Sequence, residues 1–183
     1  MSTMKKRVPM FLLALAMMIL AFSTVLALPS KATYLTQTNG SGQKFYLNLY
    51  GNSMYSGRKL SAYYTTSPGN DQDFIMLSGG FLCPRYAQAY AVNRSTETNN
   101  YIKPKANYAI IWPLSTGRRD SQFVIGGLST GNNMFMLVNY KENNVLSSAL
   151  LLRPSDMSQE DYANGAYYVY FETNSGHTWR GEH

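Results

Sequence analysis

Three sets of polar and aromatic residues recur in the same order along this chain. Tyr46-Leu47-Asn48, Ala91-Val92-Asn93 and Leu137-Val138-Asn139 each end an apolar run on an amide, and the three Asn stand 45 and 46 residues apart. Farther on, Ala62-Tyr63-Tyr64, Ile110-Ile111-Trp112 and Val169-Tyr170-Phe171 each end a strand-like run on an aromatic. A polar turn follows, fullest at Asp71-Gln72 and matched in the second copy by Asp120. Each turn leads to a closing aromatic, Phe74, Phe123 or Trp179, at intervals of 49 and 56 residues. Amides and carboxylates offer fixed acceptors and, for amides, donors. A flat Tyr or Trp adds an apolar face with a polar edge. Such sets suit reversible binding of a polar ligand.

Bond-making chemistry has little to work with. The two His, His177 and His183, both lie at the C-terminal end. No Ser-His-Asp set or Cys-His pair assembles around a central His. No His-x-x-x-His, Cys cluster or acidic calcium loop is present, so neither a metal nor another cofactor is expected. A carboxylate pair for glycoside hydrolysis would have to converge from distant positions, and nothing marks one. The lone Cys83, in Phe81-Leu82-Cys83-Pro84, excludes an intramolecular disulfide and is expected to be a buried apolar residue.

The elements that must position these sets are short strands. Candidates are Phe45–Leu49, Lys59–Tyr64, Phe74–Leu77, Ala87–Val92, Tyr108–Trp112, Phe123–Gly126, Met134–Asn139, Val145–Leu152 and Tyr167–Glu172. Turns such as Ser67-Pro68-Gly69-Asn70 and Thr130-Gly131-Asn132-Asn133 separate them. Many short strands with near-regular turn signals indicate an all-β sandwich or barrel. One helical turn is expected at Ser155–Tyr162, an insertion that lengthens the last interval. The two successive Tyr at the end of the second strand alternate, which predicts one facing in and one out without deciding between them; Tyr64 is taken as the outer one.

The threefold pattern resembles the ricin B-chain type β-trefoil lectins. Gln72-Asp73-Phe74 resembles their closing Gln-x-Trp signature with Phe for Trp. Asp120-Ser121-Gln122-Phe123 is a displaced version, and His177-Thr178-Trp179 keeps the Trp without the Gln. The resemblance covers about residues 34–181. It implies an all-β fold, a β-trefoil of three pseudo-repeats of four strands each, with six strands in a barrel and six capping one end. It also implies carbohydrate binding in shallow pockets. An acidic or amide side chain takes sugar hydroxyls, an aromatic stacks on the ring, and a polar pair at the closing turn completes the bonds. By that resemblance the first site is Asn48, Tyr64 (or Tyr63), Asp71 and Gln72. The second is Asn93, Trp112 and Asp120, and the third Asn139 and Phe171, with Asn174. The plain alternative is that the Asn residues only bond turn backbones and that the closing aromatics are core. A sugar presents hydroxyls around an apolar C–H face, so the residue types fit independently of the family.

The N-terminus reads as a secretory signal. Lys5-Lys6-Arg7 precedes an apolar run from Phe11 to Leu28, and Ser30-Lys31-Ala32 offers a cleavage site. Residues 1–32 are then a leader and 33–183 a single domain, expected to be secreted and without a stable membrane anchor; an uncleaved anchor is the alternative. The formal charge of +6 owes four cations to the leader (Lys5, Lys6, Arg7 and Lys31), so the domain carries about +2 and a nucleic-acid partner is not expected. The pairs Arg58-Lys59 and Arg118-Arg119 remain as solvated turns. Asn39-Gly40-Ser41 and Asn93-Arg94-Ser95 match the N-glycosylation pattern. The expected partner is a carbohydrate or glycoconjugate bound without catalysis. The rival expectation is a β-trefoil that binds a protein, as a toxin-accessory or protease-inhibitor module, which the departures from Gln-x-Trp and the many Tyr would suit.

Overall fold

The computed structural model describes residues 33–50, 53–99, 106–129, 134–151, 162–163, 166–173 and 177–182. The expected leader lies outside them, as do Asn174 and all of the expected helical turn except Tyr162. Among the described residues no helix is long and apolar enough to cross a membrane.

The strands fall into three units. The first holds β1 (Thr33–Thr38), β2 (Lys44–Leu49), β3 (Arg58–Tyr64) and β4 (Asp73–Leu77). The second holds β5 (Phe81–Pro84), β6 (Tyr90–Asn99), β7 (Ala106–Pro113) and β8 (Phe123–Ser129). The third holds β9 (Met134–Asn139), β10 (Val145–Ser148), the two-residue β11 (Tyr162–Ala163), β12 (Ala166–Glu172) and β13 (Trp179–Glu182). The first and last strand of each unit build a closed ring. β1 pairs with β4, β4 with β5, β8 with β9, β9 with β13 and β13 with β1. The seam between β5 and β8 rests on a bridge from Phe81 to Gln122. Three hairpins, β2–β3, β6–β7 and β10–β12, cap one end, and β3, β7 and β12 pair with one another across it. This is a β-trefoil of three four-strand units, with β11 as an addition.

The sequence places the core where the ring needs filling. Phe74, Phe123 and Trp179 are all buried, as expected of closing aromatics, and Leu47, Val92 and Leu146 from the three hairpins join them. Phe123 stacks on Phe171 with ring centres 5.8 Å apart. The one polar atom of the Trp179 ring is satisfied, since its Nε1–H donates to the Leu146 carbonyl at 2.9 Å. Gly80 closes the β5–β8 seam. It sits at φ +84°, and a Cβ there would lie 2.2 Å from the Phe123 carbonyl oxygen, while the Phe123 N–H donates to the Gly80 carbonyl at 2.7 Å. Only glycine permits both.

Several element boundaries differ from expectation. The run from Ala87 starts as a turn, with Tyr90 N–H bonded to the Ala87 carbonyl at 3.0 Å, and the strand begins at Tyr90. The run from Val145 stops as a strand at Ser148 and tightens into a 3₁₀ turn, Ala149–Leu151. β1, β5 and β13 carry short or Gly- and Pro-containing sequences and are strands because ring closure supplies their partners. A single helical turn, α1 (Leu114–Gly117), follows β7 and leads into a 3₁₀ turn, Arg118–Ser121. Cys83 is buried, and burial pushes its thiol up to about 12.

Candidate functional site

Strand register decides which side chains share a face. In the first unit Leu47 pairs with Ala62 and Asn48 with Ser61, while Tyr46 pairs with Tyr63 and Phe45 with Tyr64. Successive residues alternate, and cross-strand partners point the same way. Phe45, Leu47, Leu49, Leu60 and Ala62 face the core. Tyr46, Asn48, Ser61 and Tyr63 therefore share the outer face of the hairpin. Tyr64 belongs to the other face, where its ring lies 5.8 Å from that of Phe45. Both tyrosines are partly exposed, Tyr63 at 38% and Tyr64 at 44%, because the strand end overhangs the core. The aromatic beside Asn48 is thus Tyr63, where the expectation from sequence put Tyr64.

Asn48 and Gln72 do meet, but beneath the surface. Gln72 Nε2 donates to Asn48 Oδ1, and Asn48 Nδ2 donates to Ser61 Oγ at 3.0 Å and to the Leu49 carbonyl at 3.1 Å. Gln72 Oε1 accepts the Gly69 N–H at 2.6 Å. Asn48 and Gln72 are only 4% and 7% exposed. The bonds hold the 3₁₀ turn Asn70–Gln72 against the hairpin, and that turn presents Asp71. The Asp71 carboxylate faces Tyr86, whose hydroxyl is held above the ordinary tyrosine range first by partial burial and then by the charge and hydrogen bond of Asp71.

The second unit repeats this plan with other residues. Asn93 is buried and its Nδ2 donates to Ser121 Oγ at 2.9 Å. Ser121 stands two residues before Phe123, as Gln72 stands two before Phe74. The displaced Gln122 serves the seam instead, its Nε2 donating to the Gly79 carbonyl at 3.0 Å. Ala91 pairs with Trp112 and Asn93 with Ile110, so Trp112 lies on the Asn93 face and corresponds to Tyr63. It is 37% exposed, and its Nε1–H donates to Thr116 Oγ1 of α1 at 3.1 Å. Asp120 lies between two cations, 3.3 Å from Arg94 Nη2 and 3.2 Å from Lys141 Nζ. Arg94 also donates to Asn107 Oδ1 at 3.1 Å.

In the third unit the equivalence read from spacing fails. Asn139 ends β9, a ring strand, and pairs with Phe123. Its amide serves a turn, donating to the Asp120 carbonyl at 3.0 Å and accepting the Glu142 N–H at 3.2 Å. The hairpin residue that corresponds to Asn48 and Asn93 is Ser147, next to core Leu146, which pairs with Phe171. Phe171 is fully buried and takes the place of Ala62 and Ile111. The position of Tyr63 and Trp112 is occupied by Glu172, also buried. Ser147 Oγ lies 3.4 Å from Glu172 Oε1, and His177 Nδ1, two residues before Trp179, is 3.4 Å from the same oxygen. Among the described residues no exposed aromatic takes that position. Of the residues absent from the sequence expectation, Ser61, Ser121, Ser147 and Glu172 carry one recoverable signal: a position two before the closing aromatic, or a cross-strand partner fixed by register.

No protein-family model matches the sequence, and no match is found among curated proteins. The fold does have solved counterparts. A designed threefold-symmetric protein, ThreeFoil, superposes with a TM-score of 0.57 at 18% identity, over 81% of this chain and 96% of that one. The agglutinin from Abrus precatorius gives 0.55 at 13% identity, over 83% of this chain and 49% of the agglutinin. The C-terminal half of an earthworm R-type lectin, solved in complex with GalNAc, gives 0.53 at 12% identity, over 83% of this chain and all (100%) of that one. The chain spans about half the length of the agglutinin and nearly all of the other two. The chain folds as a β-trefoil, the fold of these three structures.

Proposed function

We propose that this is a secreted, non-catalytic carbohydrate-binding protein whose first unit carries its main site and whose second carries a variant of it. The supporting observation is the repeated juxtaposition of a buried Asn, a closing-turn polar residue and a half-exposed aromatic on one hairpin face. In the first unit Tyr63 offers the ring face for the sugar C–H surface and Asp71 the acceptor for its hydroxyls. Asn48 and Gln72 act one step behind, holding the turn that carries Asp71. In the second unit Trp112 stacks and Asp120 accepts, with Arg94 and Lys141 fixing the carboxylate and adding donors. The third unit, with Glu172 in the aromatic's place, lacks a stacking surface and takes no part. Such pockets are shallow, and two on one rigid body gain through avidity on a multivalent glycan.

The R-type lectin solved with GalNAc lends this reading a precedent in the same fold. Calorimetric titration after a glycan array tests it: at least one glycan binds, and Tyr63→Ala weakens binding while Tyr64→Ala has little effect. Absence of binding to every glycan would overturn it. A protein partner is the second reading, favoured by the exposed rings of Tyr55, Tyr86 and Tyr140. Capture of one protein that survives excess free sugar would favour that alternative.

A further inference from the structure

The described carboxylates differ in how their charge is met. Asp73 lies 3.0 Å from Arg85 Nε, and Asp120 lies between Arg94 and Lys141. Glu142 lies 3.4 Å from Arg94 Nη2, and Glu182 lies 2.7 Å from Lys44 Nζ. Buried Glu172 has His177 beside it. Asp71 is the exception: among the described residues no Lys, Arg or His stands within ion-pair distance of it. Its polar neighbour is the Tyr86 hydroxyl, which donates to the carboxylate. That hydroxyl is neutral and leaves the negative charge in place. Arg85, next to Tyr86 in sequence, is already taken by Asp73.

Asp71 and Asp120 hold the same place in their units, three residues before Phe74 and Phe123. The two units therefore offer a ligand different charge. The second presents a carboxylate balanced by Arg94 and Lys141. The first presents a whole negative charge on a turn held still, because Gln72 binds Asn48 and the Gly69 N–H and so fixes Asn70–Gln72. Asp71 is itself half-buried, which strengthens a charged bond there relative to one in bulk water. Asn48, to which the turn is tied, pairs with Ser61. Tyr63 stands two residues beyond Ser61 on the same face, about 7 Å along the strand, with its ring half-exposed. A di- or trisaccharide covers that distance. An uncompensated carboxylate near an open ring suits a ligand that joins an ammonium to apolar C–H faces.

We infer that Asp71 makes the first unit's site selective for a saccharide of amino sugars with free amines, one ammonium pairing with the Asp71 carboxylate while a neighbouring ring lies on Tyr63. N-acetylation turns such an ammonium into a neutral amide, so the acetylated saccharide forfeits the charge-assisted bond and keeps the ring contact. The second unit has no such preference, since its Asp120 is already balanced. Tyr63 supplies a face for a sugar ring, which favours an amino sugar over a bare amine. The inference rests on the carbohydrate function proposed above and names the ligand class of that site.

The test is calorimetric titration of the purified protein with a glucosamine trisaccharide and with its fully N-acetylated counterpart, at about pH 6, where an amine of this kind is protonated. The free-amine form is expected to bind roughly tenfold tighter or more, with an advantage that shrinks as salt rises. Asp71→Asn should weaken binding and erase the difference between the two forms, whereas Asp71→Glu should keep most of it. Glu182→Gln removes the same charge from β13 and should leave the difference in place. Circular dichroism checks that each variant is folded. Three results would overturn the inference while the carbohydrate function stands, given a protein that binds some glycan of an array: no difference between the two forms, a preference that survives Asp71→Asn, or one that falls as far in Glu182→Gln. A trilysine peptide that binds as tightly as the free-amine trisaccharide, and with the same dependence on Asp71, would overturn it in favour of a basic peptide. Failure to bind either trisaccharide or any glycan of the array would overturn both this inference and the function beneath it.

Discussion

The first and third units share one strand plan and differ on their outer face. Inside the barrel they are interchangeable: Leu47 and Leu146, then Phe74 and Trp179, fill the same places. Outside, the first unit sets an amide, Asn48, against Gln72 and leaves Tyr63 at the rim. The third sets Ser147 against Glu172, with His177 beside it, and buries them. The threefold pattern is therefore a property of the core, while the binding proposed above is assigned to the hairpin faces that keep an aromatic at the rim. Fold and function separate within one repeat, and substitutions should separate them too.

The largest effect should come from the shared core. Trp179→Ala should destabilise the protein by about 3–5 kcal/mol, measured by denaturant unfolding, and should weaken binding at the first and second units together because the barrel loosens. Binding that is unchanged despite such destabilisation would break the equivalence of the cores. Gly80→Ala belongs in the same class, since its methyl would collide with the Phe123 carbonyl.

Next comes the buried amide pair. Gln72→Ala leaves the buried Asn48 Oδ1 without its Gln72 partner and should cost about 1–3 kcal/mol. It should weaken glycan binding as well, because the Asp71 turn is released. Ser147→Ala in the third unit should cost less and leave binding unchanged, which sharpens the contrast between the two units.

A smaller effect, on affinity alone, should follow at the rim. Tyr63→Ala should reduce binding about tenfold, the scale of one aromatic contact, with stability near that of the parent. Tyr64→Ala, on the Phe45 face, should change stability slightly and affinity little.

The smallest effect concerns Cys83, buried in a cluster with Phe81 and Ala91. Its thiol is raised by burial to about 12, above the free value of 9.0. The thiol therefore contributes stability that is fully present below about pH 9 and is lost as pH rises toward 12. In the folded protein it should resist alkylation at pH 8 and react fully in denaturant.

The fold was largely legible in the sequence. Closing aromatics followed by Ile-Met-Leu or Val-Ile runs, with turns of Ser, Pro, Gly and Asn between strands, mark repeated units of short strands, which a closed threefold ring satisfies. β5 and β13 were hidden because Phe81–Pro84 and Trp179–Glu182 owe their strand character to neighbours distant in sequence. The site was legible in part. The meeting of Asn48 with Gln72 follows from their places before a shared turn. The choice between Tyr63 and Tyr64 does not, since two adjacent tyrosines look alike until the Phe45–Tyr64 pairing fixes the register. Spacing misled at Asn139, because Asn is as common in turns as in sites, and its true counterpart is Ser147. Lys59 looked like part of a plain turn because the tyrosines beside it, Tyr108 and Tyr168, come from other units.

The most direct test of the central claim is titration of the best array glycan into the parent protein and into Tyr63→Ala and Asp71→Asn. The account predicts measurable binding by the parent and a loss of about tenfold in each variant, with all three proteins equally folded. Binding that is unchanged in both variants, or a parent that binds no glycan, would contradict it.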